Sequence, residues 1–139
     1  MTKNITFKLV SPSQDLLNTD TAMVIVPGVG GDMGIMKGHS PVISTLRAGE
    51  IILRDGDTDI RWFIEGGFVE VSAEKVIVLA EHGVAVADLT EVSVKGELKI
   101  AEEALNAIDK DNTSVYNRAV SVVAIAKAKV KALQSPAYA

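Results

Sequence analysis

The sequence predicts an all-β sandwich followed by an α-helical hairpin, on three observations. From Ile5 to about Ala87, apolar residues recur with period two, in short runs cut by turn residues. After Asp88-Leu89, Gly96 is the one glycine and Pro136 the one proline. Apolar spacing there changes to three and four residues, the stripe of an amphipathic helix. The expected organisation is therefore a sandwich over residues 1–87 and a helix-turn-helix over residues 88–139.

Each element follows from its own pattern. Ile5, Phe7 and Leu9 alternate with Thr6, Lys8 and Val10, a half-buried strand that Ser11-Pro12-Ser13 ends. Thr21–Val26 and Pro41–Leu46 are further runs, on either side of a glycine-rich stretch. Arg47-Ala48-Gly49 turns the chain into Glu50–Arg54, with Ile51 and Leu53 on one face. Asp55-Gly56-Asp57 is a hairpin turn, because glycine reaches positive φ without steric cost. Asp59–Glu65 places Ile60, Trp62 and Ile64 on one face, so Trp62 is expected to fill core. Gly66-Gly67 breaks this run, Phe68–Ser72 resumes it, and Ala73-Glu74 turns again. Lys75–Ala80 is apolar enough for a central strand, and Gly83–Ala87 is short enough for an edge. Eight or more short strands with no helix between them indicate antiparallel pairing and exclude a parallel Rossmann-type sheet.

In the C-terminal part, Leu98, Ala101, Leu105 and Ile108 form one stripe. Gly96 weakens the helix start, which is expected near Glu97. Lys110-Asp111-Asn112 is a turn, with Asn112 or Thr113 capping a second helix from about Ser114 to Leu133, roughly 30 Å long. Its stripe is Val115, Ala119, Val122, Ala126, Val130 and Leu133, and Ser135-Pro136 stops it. Between Glu91 and Asp109 the charges are five acidic and two basic, whereas Thr113–Gln134 carries four basic groups (Arg118, Lys127, Lys129, Lys131) and no acidic one. Opposite signs favour pairing of the helices, and the basic helix is also suited to an acidic partner.

Composition removes several functions. Apolar residues make up 47% of the 139 and charged residues 23%, the balance of a globular domain with a real core. A net charge of −4 argues against a broad nucleic-acid-binding face. The absence of cysteine excludes disulfides, cysteine zinc sites and thiol catalysis. Met1-Thr2-Lys3-Asn4 leads straight into a strand without the apolar core of a signal peptide, and no run approaches the ~20 apolar residues of a membrane span. A soluble protein, or one peripheral on a larger assembly, is expected.

The stretch Val26–Pro41 holds five of the eleven glycines, two of the four prolines and one of the two histidines. A phosphate loop needs Lys-Ser/Thr after its last glycine and then a helix, but Gly38 is followed by His39-Ser40-Pro41 and a strand. The glycines also miss dinucleotide spacing. His39 and His82 are the only imidazoles, too few for a metal site beside one nearby carboxylate, Asp32. A triad from Ser40 and His39 fails because adjacent strand residues point to opposite faces. Met33 and Met36 are expected to pack rather than bind. A rigid loop presented to a partner remains, with Asp32 at its tip and no cofactor required.

These residues resemble a known family. Val26-Pro27-Gly28, Gly30-Gly31-Asp32-Met33-Gly34-Ile35, Gly38-His39-Ser40-Pro41, Leu46-Arg47-Ala48-Gly49, Ile64–Val71 and Val76–Ala80, in this order, are similar to the epsilon subunit of F-type ATP synthases, the counterpart of the mitochondrial delta subunit. Phe7, Leu9-Val10 and Ser11-Pro12 fit the same pattern.

The resemblance implies a ten-stranded sandwich and a C-terminal helical hairpin in a non-catalytic, peripheral subunit on the cytoplasmic face of the bacterial inner membrane. Such a subunit sits in the central stalk and couples proton translocation to ATP synthesis. It implies that Val29, Gly30, Gly31 and Asp32 meet the c-ring and that His39 lies toward the gamma subunit. It also implies that the helices can extend and inhibit ATP hydrolysis. Arg118, Lys127, Lys129 and Lys131 would then touch acidic segments of the alpha/beta catalytic head. ATP-binding members carry an acidic-x-x-Arg-Ala pattern. The matching Thr90-Glu91-Val92-Ser93-Val94 lacks the arginine, which argues against an ATP-sensing hairpin. The competing reading is a stand-alone ligand-binding sandwich with a helical dimerisation hairpin. It predicts a concave apolar pocket and a homodimer. A small β-sandwich enzyme would need a converging acid/base pair, and none is evident.

Overall fold

The computed structural model describes residues 4–134. It divides into two compact units, Met1–Ala85 and Val86–Ala139. Ser135-Pro136, expected to stop the second helix, lies outside the described residues.

The first unit contains ten strands in two sheets: β1 (Ile5–Val10), β2 (Asp15–Thr21), β3 (Met23–Val26), β4 (Met33–Ile35), β5 (Val42–Leu46), β6 (Gly49–Asp55), β7 (Thr58–Ile64), β8 (Gly67–Val71), β9 (Lys75–Ala80) and β10 (Gly83–Ala85). One sheet has the order β2-β1-β9-β8-β5 and the other β10-β7-β6-β3-β4. The inward positions alternate as period two requires. Ile5, Phe7 and Leu9 from β1, Val76 and Val78 from β9, and Val69 and Val71 from β8 meet Val24, Val26, Ile35, Ile51, Leu53 and Ile64 from the other sheet. Trp62 packs against this core half-buried, as expected of a filler, but Ile60, two residues earlier, is 43% exposed.

The ten strands match the number the resemblance implies, and three features depart from the element-by-element reading. β2 and β4 are additional strands. β2 is a polar edge strand (Asp-Leu-Leu-Asn-Thr-Asp-Thr) whose adjacent Leu16 and Leu17 break strict alternation, and its register with β1 shifts at Leu9/Val10. β4 is three residues within the glycine-rich stretch and pairs with β3. The third departure is a parallel pair, β1 with β9, in an otherwise antiparallel sandwich. The chain visits the second sheet between these two strands, so no helical crossover is needed to bring them parallel. As expected, β9 is central and β10 is an edge.

Thr21 marks where the chain passes from one sheet to the other. Its fully buried hydroxyl lies 3.2 Å from Asp55 Oδ2 and 3.3 Å from the carbonyls of Met23 and Arg54. Asp55 Oδ1 also accepts from Ala22 N–H at 2.7 Å. Asp55 therefore does more than begin a hairpin turn: it satisfies polar groups at a buried corner. On β6 and β7, Arg54 grips Asp59 with two hydrogen bonds of 2.9 and 2.8 Å, and Arg61 grips Glu50 in the same two-bond manner. The hydrogen bond from Arg54 holds the Asp59 carboxyl below its usual range.

The second unit begins with a 3₁₀ turn at Val86–Asp88, then α1 (Glu91–Asn106) and α2 (Thr113–Gln134). α1 starts six residues before the expected Glu97. Thr90 caps it, its side chain accepting from Ser93 N–H at 3.2 Å, and Glu91 pairs with Lys95 one turn on at 2.6 Å. The hydrogen bond from Lys95 lowers the Glu91 carboxyl below its ordinary range. Cap and ion pair together outweigh Gly96. The intervening turn is pinned by Asp109 Oδ1, which accepts from Asp111 N–H at 2.9 Å, and Asn112 contributes the first helical carbonyl of α2, to Tyr116 N–H at 2.9 Å.

Ala101, Val123 and Ala126 form the core between the helices, with Leu98 and Leu105 packed on it. Leu98, Ala101 and Leu105 of the expected α1 stripe pack as expected, whereas Ile108 lies beyond the end of the helix and Val94, outside that stripe, is buried. The α2 stripe is partly displaced: Ala126 is buried as expected, but Val123 joins it while Val115 and Val122 are 46% and 51% exposed. Valine and alanine occur all around α2, so its own pattern does not fix which side packs.

Candidate functional site

The glycine-rich loop is anchored at both ends and along its length. β3 delivers it from the core, and Gly28 makes an isolated antiparallel bridge with Leu46 at the end of β5. Val29 N–H donates to Thr45 O at 3.1 Å, Gly31 N–H to Gly28 O at 3.1 Å, and Arg47 N–H to Pro27 O at 2.9 Å. Gly28 is required by close approach: a Cβ there would lie 2.5 Å from the Gly31 carbonyl oxygen. Gly38 is required by its backbone, at φ +91°, and its N–H reaches Ala73 O at 2.6 Å, tying the loop to the β8–β9 turn.

The predicted tip, Val29, Gly30, Gly31 and Asp32, is contiguous and exposed, with Val29 at 62%. Asp32 carries an ion pair, its Oδ1 2.6 Å from Arg47 Nη2, while Arg47 Nη1 donates to Gly28 O at 2.8 Å. Met33 packs against the core, but Met36 is 57% exposed, contrary to the expectation that both pack. Alternation turns Met33 and Ile35 inward, which leaves Met36 on the outer side of the loop. His39 is half-buried; its Nδ1 lies 2.8 Å from Ser40 O and its N–H donates to Met36 O at 3.1 Å. Among the described residues no group of three or more His, Asp or Glu is placed to hold a metal ion.

A second surface lies on the outer face of the β2-β1-β9-β8-β5 sheet. Register aligns Val10, Leu79, Phe68 and Thr45 in one row across β1, β9, β8 and β5. Phe68 is 55% exposed, Leu79 49% and, on β5, Ile43 76%. Val10, Pro12, Phe68 and Leu79 line a cavity of about 420 Å³ beside this row. The sequence pattern does not announce this surface, because Phe68 and Leu79 fit equally well as ordinary strand-forming residues. The available signal was that Phe68, Leu79 and Ile43 fall out of phase with the buried positions Val69, Val78 and Leu46.

The four basic residues of α2 do not share a face. Arg118, Lys127 and Lys131 are exposed. Lys129 retains 16% of its side-chain surface and donates to Glu97 Oε2 at 3.1 Å, joining α2 to α1. Residues two apart on a helix point about 200° from each other, so Lys129 is turned away from Lys127 and Lys131. No helix among the described residues is long and apolar enough to cross a membrane.

Residues 4–86 match the family described as ATP synthase, Delta/Epsilon chain, beta-sandwich domain. The ATP synthase epsilon chain of Paramagnetospirillum magneticum is 38% identical over 129 residues, covering 92% of this chain and 97% of its own. The epsilon chain of Propionigenium modestum, named sodium ion specific, is 32% identical, covering 90% and 93%. A chain in the Euglena gracilis mitochondrial ATP synthase structure (OSCP/F1/c-ring) superposes with a TM-score of 0.82 at 19% identity, over 95% of this chain and 82% of that one, a likeness of fold. Family match, near full-length relatives and a sandwich followed by two helices agree: the chain belongs to the delta/epsilon-chain family of ATP synthases.

Proposed function

We propose that this chain is a non-catalytic rotor subunit of an F-type ATP synthase, seated in the central stalk on the cytoplasmic face of the membrane. It couples proton flow through the c-ring to ATP synthesis. The loop tip Val29–Asp32 meets the c-ring. The outer sheet face, with His39 in the loop that leads to β5, docks the gamma subunit. The observation that carries the reading is the exposed row Phe68 and Leu79 with neighbouring Ile43. Contiguous apolar surface of this kind marks a protein interface rather than a free monomer face. Torque transmission needs two rigid docking surfaces on one body, and both are built on a single continuous core.

The c-ring, not this chain, sets the coupling ion, so sodium-dependent hydrolysis by the assembled complex would replace the proton in this reading. The second unit supplies a regulatory element. Arg118, Lys127 and Lys131 are available to an acidic segment of the catalytic head, whereas Lys129 must first leave Glu97.

The test is binding of the complete chain to its cognate gamma subunit. Phe68→Glu places a charge in the row without touching the core and should weaken binding by about 2–4 kcal/mol, the range of a central anchor residue. Failure of the unmodified chain to bind gamma would overturn the reading.

A further inference from the structure

The carboxylate at the loop tip is not presented alone. Arg47 joins three points of the loop: Asp32 Oδ1 at 2.6 Å and Gly28 O at 2.8 Å through its guanidinium, and Pro27 O at 2.9 Å through its backbone N–H. Of the ion pair, Arg47 is the more open member, with 48% of its side-chain surface accessible against 25% for Asp32. The backbone of the tip adds Val29 N–H to Thr45 O and Gly31 N–H to Gly28 O, each at 3.1 Å, but these leave the Asp32 carboxylate to be held by its side-chain contacts. A Cβ at Gly30 or Gly31 would meet no heavy atom within 4 Å, so the tip is open on its outer side.

We propose that Arg47 is the positioning residue of the loop tip and that Asp32 acts through it. The proposal rests on the rotor reading above and deepens it. The two side chains form one unit that fixes Val29–Asp32 before the partner arrives. A preformed loop avoids the ordering cost that a flexible one meets on binding. Pairing also neutralises the tip, so the fitting partner surface is a polar loop rather than a basic one. Attraction between unlike net charges would be screened by salt, whereas contact with a neutral tip changes little.

The experiment uses the complete chain bound to its gamma subunit and measures affinity for the cognate c-ring, with Arg47→Ala, Asp32→Asn and the double variant. Each single variant should weaken c-ring binding by about 10-fold, and the double variant should bind no worse than the weaker single one, as coupled residues do. The unmodified complex should lose less than about 3-fold in affinity between low and physiological salt. In the free chain, both variants should speed amide exchange at Val29 and Gly31. Losses that add, or unchanged affinity and exchange in Arg47→Ala, would overturn the proposal. Should Arg47→Ala fold poorly, Asp32→Asn, close in shape to the native residue, carries the same comparison. If the unmodified complex does not bind the c-ring at all, the rotor reading fails, and the exchange rates alone still decide whether Arg47 orders the tip.

Discussion

Glycines at neighbouring positions of the loop do different things. Gly28 is buried, and an added Cβ would press on the Gly31 carbonyl, a backbone atom that cannot step aside. Gly30 is exposed, with nothing within 4 Å of an added Cβ. Gly28→Ala should therefore cost about 1–3 kcal/mol, the usual range for overpacking, while Gly30→Ala should stay within about 0.5 kcal/mol of the parent. Urea unfolding midpoints of the two variants check this, and equal effects would mean the loop relaxes as a whole. The sequence showed that these glycines serve shape, because the residues that would use them for phosphate were missing. It could not show which glycine bears on backbone, since that depends on how closely residues 28 and 31 approach. Nor could it pair Asp32 with Arg47, fifteen residues away, because the Gly28–Leu46 bridge and the backbone bonds beside it, Val29 to Thr45 and Arg47 to Pro27, bring them together.

At the scale of elements, α1 is the informative case. Local propensity alone delays its start to Glu97, but the Thr90 cap and the Glu91–Lys95 pair carry the helix through Gly96. The lowered Glu91 carboxyl makes the pair's contribution present above the ordinary carboxylate range and lost as pH falls through the folded-state value. Gly96 itself then weakens α1 without compensation, since no atom lies within 4 Å of where its Cβ would be. Gly96→Ala should stabilise the helical unit by about 1 kcal/mol. Hydrogen exchange of α1 amides reads this directly, and unchanged protection would mean that packing, rather than propensity, limits α1. The partly displaced stripe of α2 teaches the complementary point. With alanine and valine on every side, it is the partner helix that selects Val123 over Val122.

For the whole molecule, the change from strands to helices is legible from the change in composition near Asp88, because strand alternation and helical spacing are both local. The parallel pairing of β1 with β9 is not, because it joins residues about seventy positions apart that carry no mutual signal in sequence. The two units also differ in how far each supports itself. Every residue of the sandwich core lies at or before Ala80, drawn from both sheets. Among the described residues, the buried side chains of the two helices are Val94, Ala101, Val123, Ala126 and Ala132, all small, with Leu98 and Leu105 at the margin of the cluster between them. At about 25 cal/mol per Å² of apolar surface, such small side chains stabilise little. Ending the chain at Ala85 should therefore leave a sandwich that unfolds cooperatively and binds gamma within about 3-fold of the complete chain, a change under 1 kcal/mol. The isolated segment 86–139 should be largely unfolded by circular dichroism, as short helices without a substantial core are. In the assembled synthase, the truncation should raise ATP hydrolysis while synthesis remains coupled. Unchanged hydrolysis would remove inhibition from the helices and leave the rotor role standing. A truncated sandwich that cannot hold gamma would place part of the docking surface in the second unit.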